Sequence, residues 1–200
     1  MSKQNDFLAQ LVGPSRAKII RLFILNDVEH FTPVEIARRA SVTAGSAKQE
    51  IEALKKMGII KEERSNGGQS IHTKSVRYRL DSNFKFANAL STFTHEITPT
   101  QFTDVEQALK RTGRLNVVIL SGVFMGDTTR PADLLIAGDY IHDERLEKVV
   151  RTFEPKYGRE IRYAVFSTPE FRYRLTIHDK LLRDTLDFPH RVLINKNNLI

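Results

Sequence analysis

Cysteine is absent from this chain, which excludes disulfides and thiolate metal centres and fits a reducing, cytoplasmic compartment. Long apolar runs are missing too. None exceeds four residues, as in Val117–Leu120, whereas a bilayer span needs roughly 20. The opening MSKQNDFLAQ has no extended apolar stretch of the export-signal kind, so neither membrane nor export is expected. Patterned histidine is also lacking: His30, His72, His95, His142, His178 and His190 are scattered, with no His-x-x-x-His or His-Glu-x-x-His spacing. There is no Gly-x-Ser-x-Gly elbow and no Gly-x-x-x-x-Gly-Lys phosphate loop. No catalytic group, metal ligand or cofactor is therefore expected from these motifs.

What is present is a chain of 200 residues, 40% hydrophobic and 28% charged, enough for one large core or two small ones. Lys and Arg number 31 against 24 Asp and Glu, a net charge of +7. Residues 1–98 carry +5 of this and residues 99–200 only +2. A polyanionic partner is expected to meet the first half.

Within that half, Ser15–Asn26 places Ile19, Ile20, Leu22 and Phe23 at helical spacing. A second, short helix follows, with Thr32 as cap, Pro33 at its first position and Glu35 completing a capping box. After Ser41-Val42-Thr43 a longer helix starts at Ala44, capped by Thr43. Its inward stripe is Ala47, Ile51, Leu54 and Met57, and Gly58 ends it. The pattern is that of a helix-turn-helix, whose second helix enters the major groove by its N-terminus. Ile59–Arg64 and Val76–Leu80 then read as strands around a polar, glycine-bearing loop, with Arg64, Lys74, Arg77 and Arg79 on or beside them.

Residues 15–80 thus resemble winged-helix transcriptional regulators, above all in EIARRASVTAGSAKQEIEALKKMGIIKEE. On this reading residues 1–80 are a winged-helix domain that binds double-stranded DNA. Ser46, Lys48 and Gln49 are the base-edge or phosphate candidates, since Gln can read adenine and Lys can meet guanine or phosphate. Arg64, Lys74 and Arg77 reach flanking phosphates or the minor groove, while Arg38 and Arg39 meet backbone or solvent.

Residues 81–99 read as a connecting helix and linker, with Phe84, Phe86, Leu90 and Phe93 recurring along it. That stripe packs either against a second copy, giving a homodimer, or against its own chain. From residue 100 helices and strands alternate: a helix over 102–112, strands at 115–120, 132–137 and 160–166, a helix over 143–157, another capped by Thr168, a helical stretch over 178–186, and a last strand at 191–194. The fold class expected is α+β, a winged helix-turn-helix followed by a small α/β domain over 100–200.

The stretch LSGVFMGDTTRPADLLIAGD resembles the small nucleotidyltransferases of the DNA polymerase beta superfamily. The resemblance implies a Gly-Ser turn that cradles a triphosphate and carboxylates that hold two magnesium ions. Residue by residue the catalytic set is incomplete. Ser121-Gly122 stands in reversed order, Gly126 matches the second glycine, and Asp133 matches the second aspartate of Asp-x-Asp, but Pro131 stands at the first. Where a third carboxylate belongs the sequence has Arg162 or Tyr163, with Glu160 nearby, and Asp127 is a weak substitute in the turn. Two-metal transfer is not expected from one aspartate. Ser121, Gly122, Gly126 and Arg130 remain candidates to hold a nucleotide or another phosphorylated ligand, unless Phe124 and Met125 fill the cleft. The expected function is a transcriptional regulator whose second domain senses, dimerises or docks. The alternatives are an active nucleotidyltransferase targeted by its winged helix, and an RNA- or protein-binding adaptor.

Overall fold

The computed structural model describes residues 6–64, 76–97 and 99–200. It is a mixed α+β structure whose chain forms two compact units. The first comprises Asp6–Ile97 together with Pro155–Arg159, and the second comprises 99–154 with Glu160–Ile200. Among the described residues no helix is long and apolar enough to cross a membrane.

The first unit opens with α1 (Phe7–Val12) and α2 (Pro14–Ile24), separated by Gly13 at φ 92°. Asp6 caps α1 by accepting from Ala9 N–H, and its two oxygens each accept from Arg21 at 2.7 Å. Arg21 sits inside the apolar run of α2 and is 1% exposed. A guanidinium can be buried there because the bidentate carboxylate compensates its charge.

α3 (Pro33–Arg39) begins with the full capping box, Thr32 accepting from Glu35 N–H and Glu35 from Thr32 N–H. α4 (Ala44–Lys56) starts at Thr43, whose hydroxyl accepts from Ser46 N–H at 3.1 Å. Ala47, Ile51 and Leu54 are buried as the spacing requires. Met57 departs from the expected stripe and is 46% exposed. The helix has ended at Lys56, Gly58 turns the chain at φ 74°, and Ile59 enters the core instead.

β1 (Ile60–Arg64) and β2 (Val76–Leu80) pair antiparallel, Ile60 opposite Leu80 and Arg64 opposite Val76. Phe31 adds a bridge to Tyr78. Phe23, Phe31, Ile36, Leu54 and Ile60 fill the core beneath. The stripe expected on residues 84–93 is divided. α5 runs only over Ala87–Glu96, so Phe84 and Phe86 precede it. Phe84, Leu90 and Phe93 pack half-buried on the unit's own core, Phe93 meeting Phe7 edge-on at 6.3 Å, while Phe86 is exposed.

The second unit is a four-stranded sheet in the order β5-β4-β3-β6. α6 (Phe102–Leu109) leads into β3 (Arg114–Leu120), which is antiparallel to β4 (Leu134–Asp139) and to β6 (Arg191–Asn195). α7 (Asp143–Tyr157) carries the chain to β5 (Tyr163–Phe166), parallel to β4. Val117, Ile119, Leu135 and Ala137 share a core with Phe166, with Phe171 of α8 (Thr168–Thr176) and with Leu182 of α9 (Lys180–Leu186). By the two-residue period, Val118, Leu120, Leu134 and Ile136 face the other side and are also buried. Several boundaries shift from the sequence reading. α6 ends at Leu109, three residues early, and α9 starts at Lys180, two residues late. β4 and β5 start two and three residues late, where Asp133 and Arg162 bond each other just before the ladder, and the cap of α8 is Ser167 rather than Thr168, which moves Pro169 to the second position.

Candidate functional site

In the first unit the chain brings the N-terminal ends of α2 and α4 to one surface depression, lined among others by Ser15, Lys18, Arg38, Thr43 and Ser46. The caps explain the placement, since Thr32 and Thr43 fix where α3 and α4 begin and a tight turn, with Ser41 at φ 49°, joins them. Lys48 and Gln49 are exposed on the first turns of α4, Ser46 is half-buried, and a Cβ at Gly45 would meet nothing within 4 Å. Helix N-termini and two cations at one place suit an anion such as a phosphate group. Lys18 is not legible from sequence as part of this set, because only the tertiary packing of α2 brings it beside Arg38.

The hairpin is less basic at its base than its sequence suggests. Glu63 accepts from Arg79 and from His30 Nε2, the latter at 2.8 Å. The Arg79 hydrogen bond, with His30 behind it, holds the Glu63 carboxyl below its ordinary range. Lys55 bonds Glu62 at 3.1 Å and Glu52 at 3.3 Å, which raises its pKa. Arg39 pairs with Glu29 at 3.4 Å and lies over the Phe31 ring. Arg77 is exposed. The side chain of Arg64, and Lys74 altogether, lie outside the described residues.

In the second unit the expected catalytic corner is built instead around Asp133, which is wholly buried. Its Oδ1 accepts from Val123 N–H at 2.9 Å and from Arg162 Nη2 at 3.2 Å. Its Oδ2 accepts from Arg162 N–H at 2.9 Å and Nε at 3.1 Å. Arg162 also donates to the Thr128 carbonyl at 3.2 Å. The residue that stands where the third carboxylate is expected is thus the counter-charge of the aspartate. By sequence alone Arg162 is only a missing acid. The opposite sign at that position is the available signal.

Around the phosphate cradle expected from Ser121, Gly122, Gly126 and Arg130, the chain's own groups occupy the turn and engage Arg130. Gly122 to Met125 form a single 3-10 turn whose Val123 N–H is already bound to Asp133. A Cβ on Gly122, at φ 51°, would stand 2.1 Å from Asp133 Oδ1, so the carboxylate fills the space beside the turn. The Ser121 hydroxyl is buried and makes no hydrogen bond. Gly126 closes the turn at φ 77°. Arg130 pairs with Asp127 at 2.8 Å and stacks 3.7 Å from the Phe188 ring centroid. Thr129 and then Arg130 hold the Asp127 carboxyl below its ordinary range. Phe124 is buried at 2% exposure, and Pro131 is exposed.

The two magnesium ions that the nucleotidyltransferase resemblance implies do not fit these residues. Both oxygens of Asp133 are held by the guanidinium and by amides, and Glu160 is exposed. Among the described residues no group of three His, Asp or Glu side chains is placed to hold a metal ion. Comparison of the chain with protein-family models, curated proteins and solved structures finds no match.

Proposed function

We propose that this chain is a sequence-specific regulator of transcription that binds double-stranded DNA through its first unit. On this reading the first unit is a winged helix-turn-helix. α4 is the helix offered to the major groove, β1 and β2 are the stem of the wing, and Ser46, Lys48 and Gln49 face base edges and phosphates. The observation that carries the reading is the pair of capped helices α3 and α4, with Ser46 of α4 lining the Lys18–Arg38 depression and Lys48 and Gln49 exposed on the same helix. The concentration of positive charge in residues 1–98 supports it.

The second unit, in this proposal, is a nucleotidyltransferase-like module that transfers no nucleotide and serves as a sensor or docking module. Support comes from the Asp133–Arg162 pair, which places a fixed positive charge where the chemistry would need exchangeable metal ions. The regulator acts as a homodimer, so that two copies of α4 meet successive turns of a palindromic site. Phe7, Leu11 and Phe86 are more than half exposed on the first unit and are the apolar surface available for that contact. Selection of duplexes from a random pool tests the reading: enrichment of a palindrome supports it, and recovery of sequence-independent fragments alone contradicts it.

A further inference from the structure

β4 and β5 are parallel, Leu134 opposite Tyr163 and Ala137 opposite Phe166, so their carboxyl ends lie side by side. Beyond them the chain leaves an open depression of about 620 Å³. Ligands of open α/β sheets settle outside the carboxyl ends of the strands, in spaces of this size. The place is remote from Asp133 within the unit. Arg114 begins β3 and Asp139 ends β4, while Leu120 and Leu134 pair at the opposite end of the same ladder.

Two opposite charges meet here without neutralising each other. Arg114 and Asp139 are cross-strand partners and both line the depression. Asp139 spends Oδ2 on Asn116, whose Nδ2 donates to it at 3.1 Å and to Thr168 Oγ at 2.7 Å. Asn116 is 8% exposed, so this bond holds the carboxylate from within the sheet. Arg114 is exposed. Tyr140 follows at φ 55°, a left-handed conformation unusual for a tyrosine, and its side chain stands in the open at 85% exposure. Ile141, Val165 and Phe166 add apolar lining.

A phosphate is poorly served at this place. Two amides of the first turn of α8 are engaged, Glu170 N–H on Ser167 Oγ and Phe171 N–H on the Ser167 carbonyl. Pro169 has no N–H, and the Asp139 carboxylate in the lining repels an anion. A ligand bearing one charge of each sign answers both Arg114 and Asp139.

We propose that the depression binds a small zwitterion of the α-amino-acid type, its carboxylate on Arg114 and its ammonium on Asp139, with its side chain against Tyr140 and Ile141. The site requires no DNA, so its failure would leave the DNA-binding reading standing.

Saturation-transfer NMR of the full-length protein with the twenty L-α-amino acids, without DNA, tests this. Transfer to at least one amino acid is expected. Arg114→Ala and Asp139→Asn should each weaken its affinity at least tenfold, and Lys148→Ala on the exposed side of α7 should not. Circular dichroism melts of each variant separate loss of binding from loss of fold, and the conservative Asp139→Asn change keeps an acceptor for Asn116. Absence of transfer to any amino acid overturns the proposal, as does binding that both folded variants retain.

Discussion

Asp133 and Arg162 form a closed pair: four hydrogen bonds reach the carboxylate, three of them from the arginine's own backbone and side chain. The carboxylate is wholly buried, whereas the guanidinium keeps 38% of its side-chain surface. The arrangement ties the start of β4 to the start of β5 and to the 3-10 turn after β3. It turns what the sequence suggests as a remnant of catalysis into a structural joint.

Breaking that joint should cost stability. Asp133→Ala leaves the buried Val123 amide, the half-buried Arg162 amide and the guanidinium without their acceptor, and a loss of about 3 kcal/mol is expected. Arg162→Ala should cost less, because its end of the pair is partly solvated. Urea unfolding measures both. Equal, near-zero changes would show that the pair does not hold the unit together.

Gly122→Ala should destabilise the second unit by about 2 kcal/mol or more, since the new Cβ would collide with Asp133 Oδ1 and the backbone there is left-handed. The double variant Gly122→Ala with Asp133→Ala should lose less than the sum of the single changes. Strict additivity would separate the glycine from the aspartate and contradict their close approach.

The capping box of α3 makes part of the first unit's stability depend on pH. Hydrogen bonds from the Thr32 backbone, and next from its side chain, hold the Glu35 carboxyl below its ordinary 4.5. A carboxyl lowered on folding stabilises the native state above its unfolded value, and that contribution fades as pH falls through the lower folded one. Glu35→Gln should therefore destabilise at pH 7 and progressively less as pH falls below 4.5. Thr32→Ala should cost about 1 kcal/mol at pH 7. A Glu35→Gln penalty that stayed constant from pH 7 to pH 3 would count against this linkage.

What the sequence makes legible is mostly local. Thr32, Thr43 and Gly58 announce helix ends because a cap acts within three or four residues of its own position. Ala47, Ile51 and Leu54 announce a buried face because helical period suffices. Met57 misleads because the apolar period continues one residue past the helix end, and Thr168 misleads because Ser167 beside it caps equally well. The buried pairs are hidden for a different reason. Asp6 with Arg21, and Asp133 with Arg162, join residues that only the folded chain brings together. The Lys18–Arg38 depression and the Arg114–Asp139 pair are likewise products of packing.

Dimerisation is expected from sedimentation at micromolar concentration. The double change Phe7→Ser with Phe86→Ser should shift the protein to monomer while leaving the melting of the second unit unchanged. A wild-type protein that sediments as a monomer at all concentrations would contradict the dimer.

The central claim, that the first unit docks on DNA by α4 and the hairpin, is tested most directly by the salt dependence of affinity for a selected duplex. Full-length protein and the variant with Lys48, Arg64, Lys74 and Arg77 all changed to Ala are to be compared by fluorescence anisotropy across a salt series. Each phosphate that the variant no longer neutralises should take roughly 0.9 from the slope of log affinity against log salt, so the slope should fall by about three to four, with much weaker binding at low salt. Unchanged affinity and slope in the folded variant would contradict the proposed docking face.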